Sequence, residues 1–113
     1  MTGDAKTELA FAAYRLRRGT TEDDLLRLVV EELATLRRRG HVTERRAPVV
    51  RAGNGELLVV LEWSSEHAVD DAHANPEVTA VWDRKAQLAQ YIAPSDVAGS
   101  QVPFARWTVI ANL

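Results

Sequence analysis

The sequence predicts an α+β fold of the ferredoxin-like kind, a four-stranded antiparallel sheet with its helices on one face. The order of patterns along the chain is strand, helix, strand, strand, broken helix, strand. Right-handed crossovers in that order give the spatial strand order 4-1-3-2. A length of 113 residues, with 46% apolar and 27% charged side chains, predicts one globular domain over residues 1–113. We expect residues 1–7 to be flexible.

Composition and charge disfavour several classes of function. The chain has no cysteine, which excludes disulfides, thiolate metal sites and cysteine nucleophiles and suits the reducing cytoplasm, where we expect the protein. No window approaches the roughly 18 apolar residues of a membrane span, so no membrane partner is expected. The net charge of -2 gives no general attraction to nucleic acid or anionic lipid.

Two strands are predicted to lie in the middle of the sheet, over residues 8–17 and 56–63. In both strands, apolar side chains occupy the odd-numbered and the even-numbered positions, so they point to both faces of the sheet. In the first strand, Leu9 and Phe11 alternate with Ala10 and Ala12. Strands of this kind are covered on both faces, which is typical of central strands. The last strand is predicted over residues 104–112.

A helix is predicted between the first two strands, capped by Thr20 or Thr21 and ending at Gly40. Its apolar residues at positions 25, 26, 29, 30, 33 and 36 form one inward face. The arginines at 37–39 complement the negative end of the helix dipole. A phosphate- or RNA-binding patch is the alternative, but no stacking aromatics are interleaved with these arginines. We therefore expect no nucleic-acid partner.

The second strand is predicted over residues 42–51, where Pro48 indicates an edge or a bulge. Asn54-Gly55 is the strongest short hairpin signal, because both residues tolerate a positive φ. A two-residue turn at that point places Val50 opposite Val59. The predicted hairpin thereby sets the register of the second and third strands.

Helices on one side leave the other face of the sheet bare, although Leu58 and Val60 point to it. A second copy packed sheet to sheet would cover this face, so we predict a homodimer. Arg45 and Glu62 share one sheet face in the predicted register. We expect an ion pair at the dimer face; the alternative is a catalytic carboxylate with its orienting arginine.

The second helical region is predicted to be broken. Ser64 or Ser65 caps a short helix that ends an inward stripe at His73, and Asn75-Pro76 begins the second half. The inward positions of that half are Val78, Val81, Trp82, Ala86 or Lys85, Ala89 and Ile92.

These features resemble the dimeric α/β-barrel superfamily, and within it the antibiotic-biosynthesis-monooxygenase-like group. The resemblance covers most of residues 8–112 and rests on the element order and on Glu62-Trp63-Ser64, Ala68 with Ala72-His73, Asn75-Pro76 and Trp82. It implies a homodimer. It also implies an activity from a varied set, which includes cofactor-independent monooxygenases, haem-degrading enzymes, cyclase-like proteins and proteins with no known role. Fold alone does not choose among them.

His73 is the candidate catalytic residue, because a neutral imidazole beside a helix break could take a proton from a phenol or enol. The alternative is a packed histidine bonded to a carbonyl. Planar ligands favour aromatic walls, and the expected substrate-binding residues are Tyr14, Trp63, Trp82, Trp107 and Phe11. These aromatics could equally be core. The three histidines are too scattered in the sequence to indicate a metal-binding site, so we expect neither a metal nor a cofactor.

The sequence thus predicts a small homodimer that binds an apolar or aromatic small molecule. A cofactor-free monooxygenase of secondary metabolism is one interpretation. The alternatives are a cofactor-free isomerase or cyclase and a non-catalytic ligand-binding or accessory protein of the same shape.

Overall fold

The computed structural model describes residues 6–113, which form a five-stranded antiparallel sheet and three helices. The strands and helices are, in chain order, β1 (Glu8–Leu16), α1 (Glu22–Arg38), β2 (Pro48–Arg51), β3 (Leu57–Trp63), α2 (Ala68–His73), α3 (Pro76–Leu88), β4 (Ala89–Ile92) and β5 (Thr108–Asn112). Of residues 1–7, for which flexibility was expected, 1–5 lie outside the described part. Thr7 is described and donates to Glu62.

The strand order is β4-β1-β3-β2-β5, which corrects the predicted four-stranded sheet in strand count and in the place of the last strand. The chain passes directly from α3 into β4, and Leu88 at the end of α3 accepts a hydrogen bond from Arg17 just beyond β1. This continuation brings β4 against β1, a position predicted for residues 104–112. The C-terminal strand therefore pairs with β2 at the opposite edge.

The central positions of β1 and β3 are confirmed, since each has a strand on both sides. β1 presents alternate residues to the helices, with Tyr14 buried in the main core. That core lies between the sheet and α1, whose inward residues include Leu25, Val29, Leu33 and Leu36. Val30, which was expected to face inward, is instead 52% exposed. Leu28 and Glu32 are buried in its place. With 3.6 residues per turn, positions 28 and 32 lie on the inward face of α1, whereas position 30 is turned toward solvent.

The hairpin between β2 and β3 has a three-residue loop, so the predicted register is wrong by one residue. Ala52 pairs with Glu56 through a 2.8 Å hydrogen bond, and Val50 lies opposite Leu58 rather than Val59. Of the three loop residues 53–55, only Gly55 takes a positive φ, 90°, which is the arrangement of a turn followed by a left-handed bulge residue. A one-residue slip exchanges the two faces of a strand, so Val50 points away from the helices.

β2 is shorter than predicted and is not an edge strand. It pairs with β3 on one side and with β5 on the other, and its register with β5 shifts between Val49 and Val50. Pro48 pairs with Asn112 at the first position of β2, so the predicted edge position is wrong, and the shift one residue further on leaves Ile110 of β5 without a partner in β2. Val42 forms only an isolated bridge with Trp63.

The face of the sheet opposite the helices, here called the far face, is half covered by residues 94–107. Val97 packs in a second small core with Ala13 and Leu58. Glu56 fixes this segment by accepting from the Ala98 amide at 2.9 Å. The other half of the far face leaves Leu9 and Phe11 more than half exposed. None of the described helices is long and apolar enough to cross a membrane.

Candidate functional site

A cavity of about 390 Å³ lies between α3 and the helix-facing side of β1 and β3. β4 pairs only with residues 13–16 of β1, so the cavity opens beside the unpaired edge of Glu8–Ala12. The lining is mostly apolar and aromatic, and consists of Ala10, Phe11, Ala12, Tyr14, Glu32, Leu61, Trp63, His73, Trp82, Asp83, Lys85, Ala86 and Tyr91.

The cavity floor is a buried polar cluster of Tyr14, Glu32 and Lys85, here called the floor triad. Lys85 Nζ donates to Tyr14 Oη at 2.6 Å and to Glu32 Oε1 at 2.8 Å. Trp82 Nε1 donates to the second carboxylate oxygen of Glu32 at 2.7 Å. Each triad residue is at most 5% exposed. The charges of Lys85 and Glu32 are therefore compensated by each other and by hydrogen bonds, as buried charges require.

Burial sets the protonation of the floor triad. It raises the pKa of Tyr14 well above 10.0, and the negative charge of Glu32 raises it further. Burial lowers the pKa of Lys85, whereas the attraction of Glu32 opposes that shift. Tyr91 also has a raised pKa, caused first by burial and then by the charges of Glu32 and Asp83. Both tyrosines thus keep their O–H protons near neutral pH.

His73 is the last residue of α2 and stands at the cavity mouth rather than inside the core. Its ring Nδ1 lies 2.8 Å from the Val69 carbonyl oxygen, which only accepts, so Nδ1 carries the proton. This leaves Nε2 as a free acceptor in the neutral ring. The imidazole meets Trp82 edge to face, with ring centroids 4.8 Å apart. His73 is exposed, whereas the sequence predicted that it ends an inward stripe.

The structure gathers four of the five predicted substrate-binding aromatics at the cavity: Tyr14, Trp63, Trp82 and Phe11. Trp107 lies on the far face instead, where Nε1 donates to the Ala98 carbonyl at 2.8 Å. It precedes β5, which sits at the edge away from β1, so it cannot reach this cavity.

Glu62 and Arg45 form an ion pair, with Arg45 Nε 3.1 Å from Glu62 Oε1. Thr43 donates to the same carboxylate at 2.7 Å, and Thr7 does so at 3.0 Å. The Thr43 bond is the main cause that lowers the pKa of Glu62, followed by Thr7 and Arg45. Neither Glu62 nor Arg45 lines the cavity.

Sequence reasoning missed Glu32 and Tyr91, and it named Lys85 only as an alternative inward residue of α3. A signal was present: Glu32 falls on the inward stripe of α1 and Lys85 on that of α3. Opposite charges at inward positions of two helices that share one face of a sheet predict a buried pair. Tyr91 had no such signal, because its strand was read as the end of a helix.

No group of three or more metal-ligating side chains occurs within residues 6–113. The comparisons with known proteins name no relative: no family model, no curated protein and no solved structure matches the chain.

Proposed function

We propose that this protein binds a small, planar, largely apolar molecule in the cavity between α3 and the sheet. The observation that carries the proposal is a cavity of about 390 Å³ with aromatic walls and a buried polar floor. Ligand sites of small molecules combine these features: an apolar concave surface and a few convergent polar groups.

Proton transfer is a second candidate, favoured by the free Nε2 of His73 at the mouth. As a base, this nitrogen would take a proton from a phenol or enol of the bound ligand. Protonated His73 could return this proton to a carbon of the anion, which is a keto–enol isomerisation. Alternatively the anion could react with molecular oxygen, the co-substrate that a cofactor-free monooxygenase requires. The non-catalytic role remains the simpler proposal.

We further propose membership of the dimeric α/β-barrel superfamily, with β4-β1-β3-β2 as a ferredoxin-like unit extended by β5. The strand order supports this interpretation, and so does the main core, to which all three helices contribute residues. A homodimer through the far face is part of the proposal, because Leu9, Phe11 and Val109 are each more than half exposed there. A cytoplasmic location stays a prediction from the sequence.

Ligand binding is tested by filling the cavity. Ala86 lines the cavity on α3, whereas Ala80 on the same helix is exposed and does not. Calorimetric titration with 2-acetylnaphthalene should show one site per chain in the wild type and in Ala80→Trp, and none in Ala86→Trp. Equal heats in the two variants would place the binding outside the cavity.

Catalysis is tested at His73, with His67 as the matched control because it is solvent-exposed and does not line the cavity. For any ligand that is turned over, His73→Ala should abolish turnover and keep binding, while His67→Ala should retain both. Unchanged turnover in His73→Ala would reject the base assignment.

The dimer is tested by sedimentation velocity, where the wild type should run at twice the 12.5 kDa chain mass. Leu9→Asp on the far face should give monomers, since Leu9 is exposed there and does not line the cavity. Val30→Asp is the control, since Val30 is similarly exposed but lies on the outer face of α1. A monomeric wild type would refute the dimer and leave the cavity proposal untouched.

A further inference from the structure

The hydrogen-bond pattern of the floor triad specifies what kind of polar group the ligand carries. Tyr14 Oη accepts from Lys85, so its own O–H proton needs another acceptor. Within residues 6–113, no hydrogen bond takes this proton. Both oxygens of Glu32 are already engaged, one by Lys85 and one by Trp82. The floor therefore presents an unused donor at Tyr14 and no unused carboxylate oxygen.

The charge balance of the floor argues for a neutral acceptor. The ammonium of Lys85 and the carboxylate of Glu32 lie 2.8 Å apart and cancel at short range. A cationic or anionic ligand group would meet little net opposite charge and would lose its hydration on entry. A carbonyl oxygen carries no net charge and offers two lone pairs, and the hydrogen bond from Tyr14 would offset the smaller cost of its desolvation.

Lys85 also makes Tyr14 a better donor. A hydroxyl that accepts a charge-assisted hydrogen bond is polarised by it. The hydrogen bond that this hydroxyl then donates to a third group is stronger, above all in a low-dielectric site. The second tyrosine of the cavity cannot take this role in the same way, because Tyr91 Oη donates to the Trp82 carbonyl at 3.3 Å. Its hydroxyl has an acceptor already, whereas that of Tyr14 has not.

We infer that Tyr14, held by Lys85, recognises a carbonyl oxygen, and that the ligand class is a planar aromatic or conjugated ketone. This inference rests on the proposed function and deepens it. The ring system would lie between the aromatic walls and the ketone oxygen would point to the floor.

The test compares two probes of the same shape, 2-acetylnaphthalene and 2-isopropenylnaphthalene, in which a CH₂ group replaces the carbonyl oxygen. Calorimetry should give the wild type a preference of about tenfold for the ketone, the typical effect of one buried hydrogen bond. The variant Tyr14→Phe should lose this preference and bind the alkene as the wild type does. Tyr91→Phe is the matched control and should keep the preference.

A second readout separates recognition from folding. Infrared difference spectra of the ketone labelled at its carbonyl carbon should show a C=O stretch shifted to lower wavenumber in the wild type and in Tyr91→Phe. The stretch should return toward its value in apolar solvent in Tyr14→Phe, whose fold is checked by near-ultraviolet circular dichroism.

The outcomes distinguish the two proposals. If neither probe binds the wild type, the binding function itself fails for this ligand shape. If both probes bind the wild type equally, or if Tyr14→Phe keeps the preference and the shifted stretch, the cavity is a ligand site but Tyr14 is not its recognition group.

Discussion

The ion pair between Glu32 and Lys85 should be the most sensitive polar contact in the fold. We consider the change Glu32→Gln, which keeps the shape of the side chain and an oxygen for the Trp82 indole. It removes the charge that faces Lys85 Nζ at 2.8 Å. Lys85 is 1% exposed, so no solvent replaces the lost partner. Removing one member of a buried pair leaves the other charge uncompensated and costs about 3 to 5 kcal/mol.

The adjacent residue supplies the control. Glu31 pairs with Arg84 across the same two helices, but both side chains are about half exposed. Exposed ion pairs contribute about 0 to 1 kcal/mol, so Glu31→Gln should change the free energy of unfolding by less than about 1 kcal/mol. Urea denaturation followed by circular dichroism measures both variants under identical conditions.

A double replacement tests the cause of the loss. Glu32→Gln combined with Lys85→Met removes both charges and keeps the acceptor for Trp82. It should be less destabilised than either single variant, because an apolar side chain replaces a charge that had lost its partner. Additive losses in the double variant, or a loss below about 1 kcal/mol in Glu32→Gln, would refute the assignment of a compensated buried pair.

The pH dependence of Glu32→Gln provides an independent check. Burial already lowers the pKa of Lys85 below its ordinary value of 10.5, and Glu32 is the group that opposes this shift. Without Glu32 the folded protein binds the Lys85 proton more weakly than the unfolded chain does. Stability should then rise with pH between the lowered pKa and 10.5, over a wider range of pH than in the wild type.

Three further predictions concern the frame around the site. Thr21→Ala removes the side-chain half of the α1 capping box and should cost about 1 kcal/mol in urea unfolding. Gly55→Ala should cost about 1 to 2 kcal/mol, because Gly55 has φ 90°, whereas Gly53→Ala should be near neutral. The hydrogen bond from the Ala98 amide is the main cause that lowers the pKa of Glu56 from 4.5. The ionised Glu56 carboxylate should therefore stabilise the fold above pH 4.5, and this contribution should fade as the pH falls through the lowered pKa. The stability difference between the wild type and Glu56→Gln should therefore shrink in acid; a constant difference would contradict this reasoning.

Part of the site was readable from the sequence. The aromatic residues at helix and strand spacing indicated the wall of a cavity, and the break at Asn75-Pro76 indicated its mouth. Asn75 caps α3 by accepting from the Glu77 amide at 3.0 Å, as the Asn-Pro pattern predicts. The hairpin was predicted at the right place but with the wrong loop length. Two- and three-residue loops share the same Asn-Gly signal, and cross-strand packing decides between them.

Local chemistry determined most elements of this protein, with β4 as the exception. Apolar residues on both parities of β1 and β3 are enough to make them central strands, and capping residues with periodic apolar positions are enough to place α1 and α3. These signals act between residues close in sequence.

The tertiary structure alone decided which residues meet. β4 lies beside β1 because the chain continues from α3 without a loop, a choice that Tyr91 packing on Tyr14 supports with ring centroids 5.2 Å apart. The pairing of Glu32 with Lys85 joins positions 53 residues apart, and its worth depends on burial that no local pattern records. Long-range contacts of this kind set the floor of the cavity and the hydrogen-bonding groups that it presents.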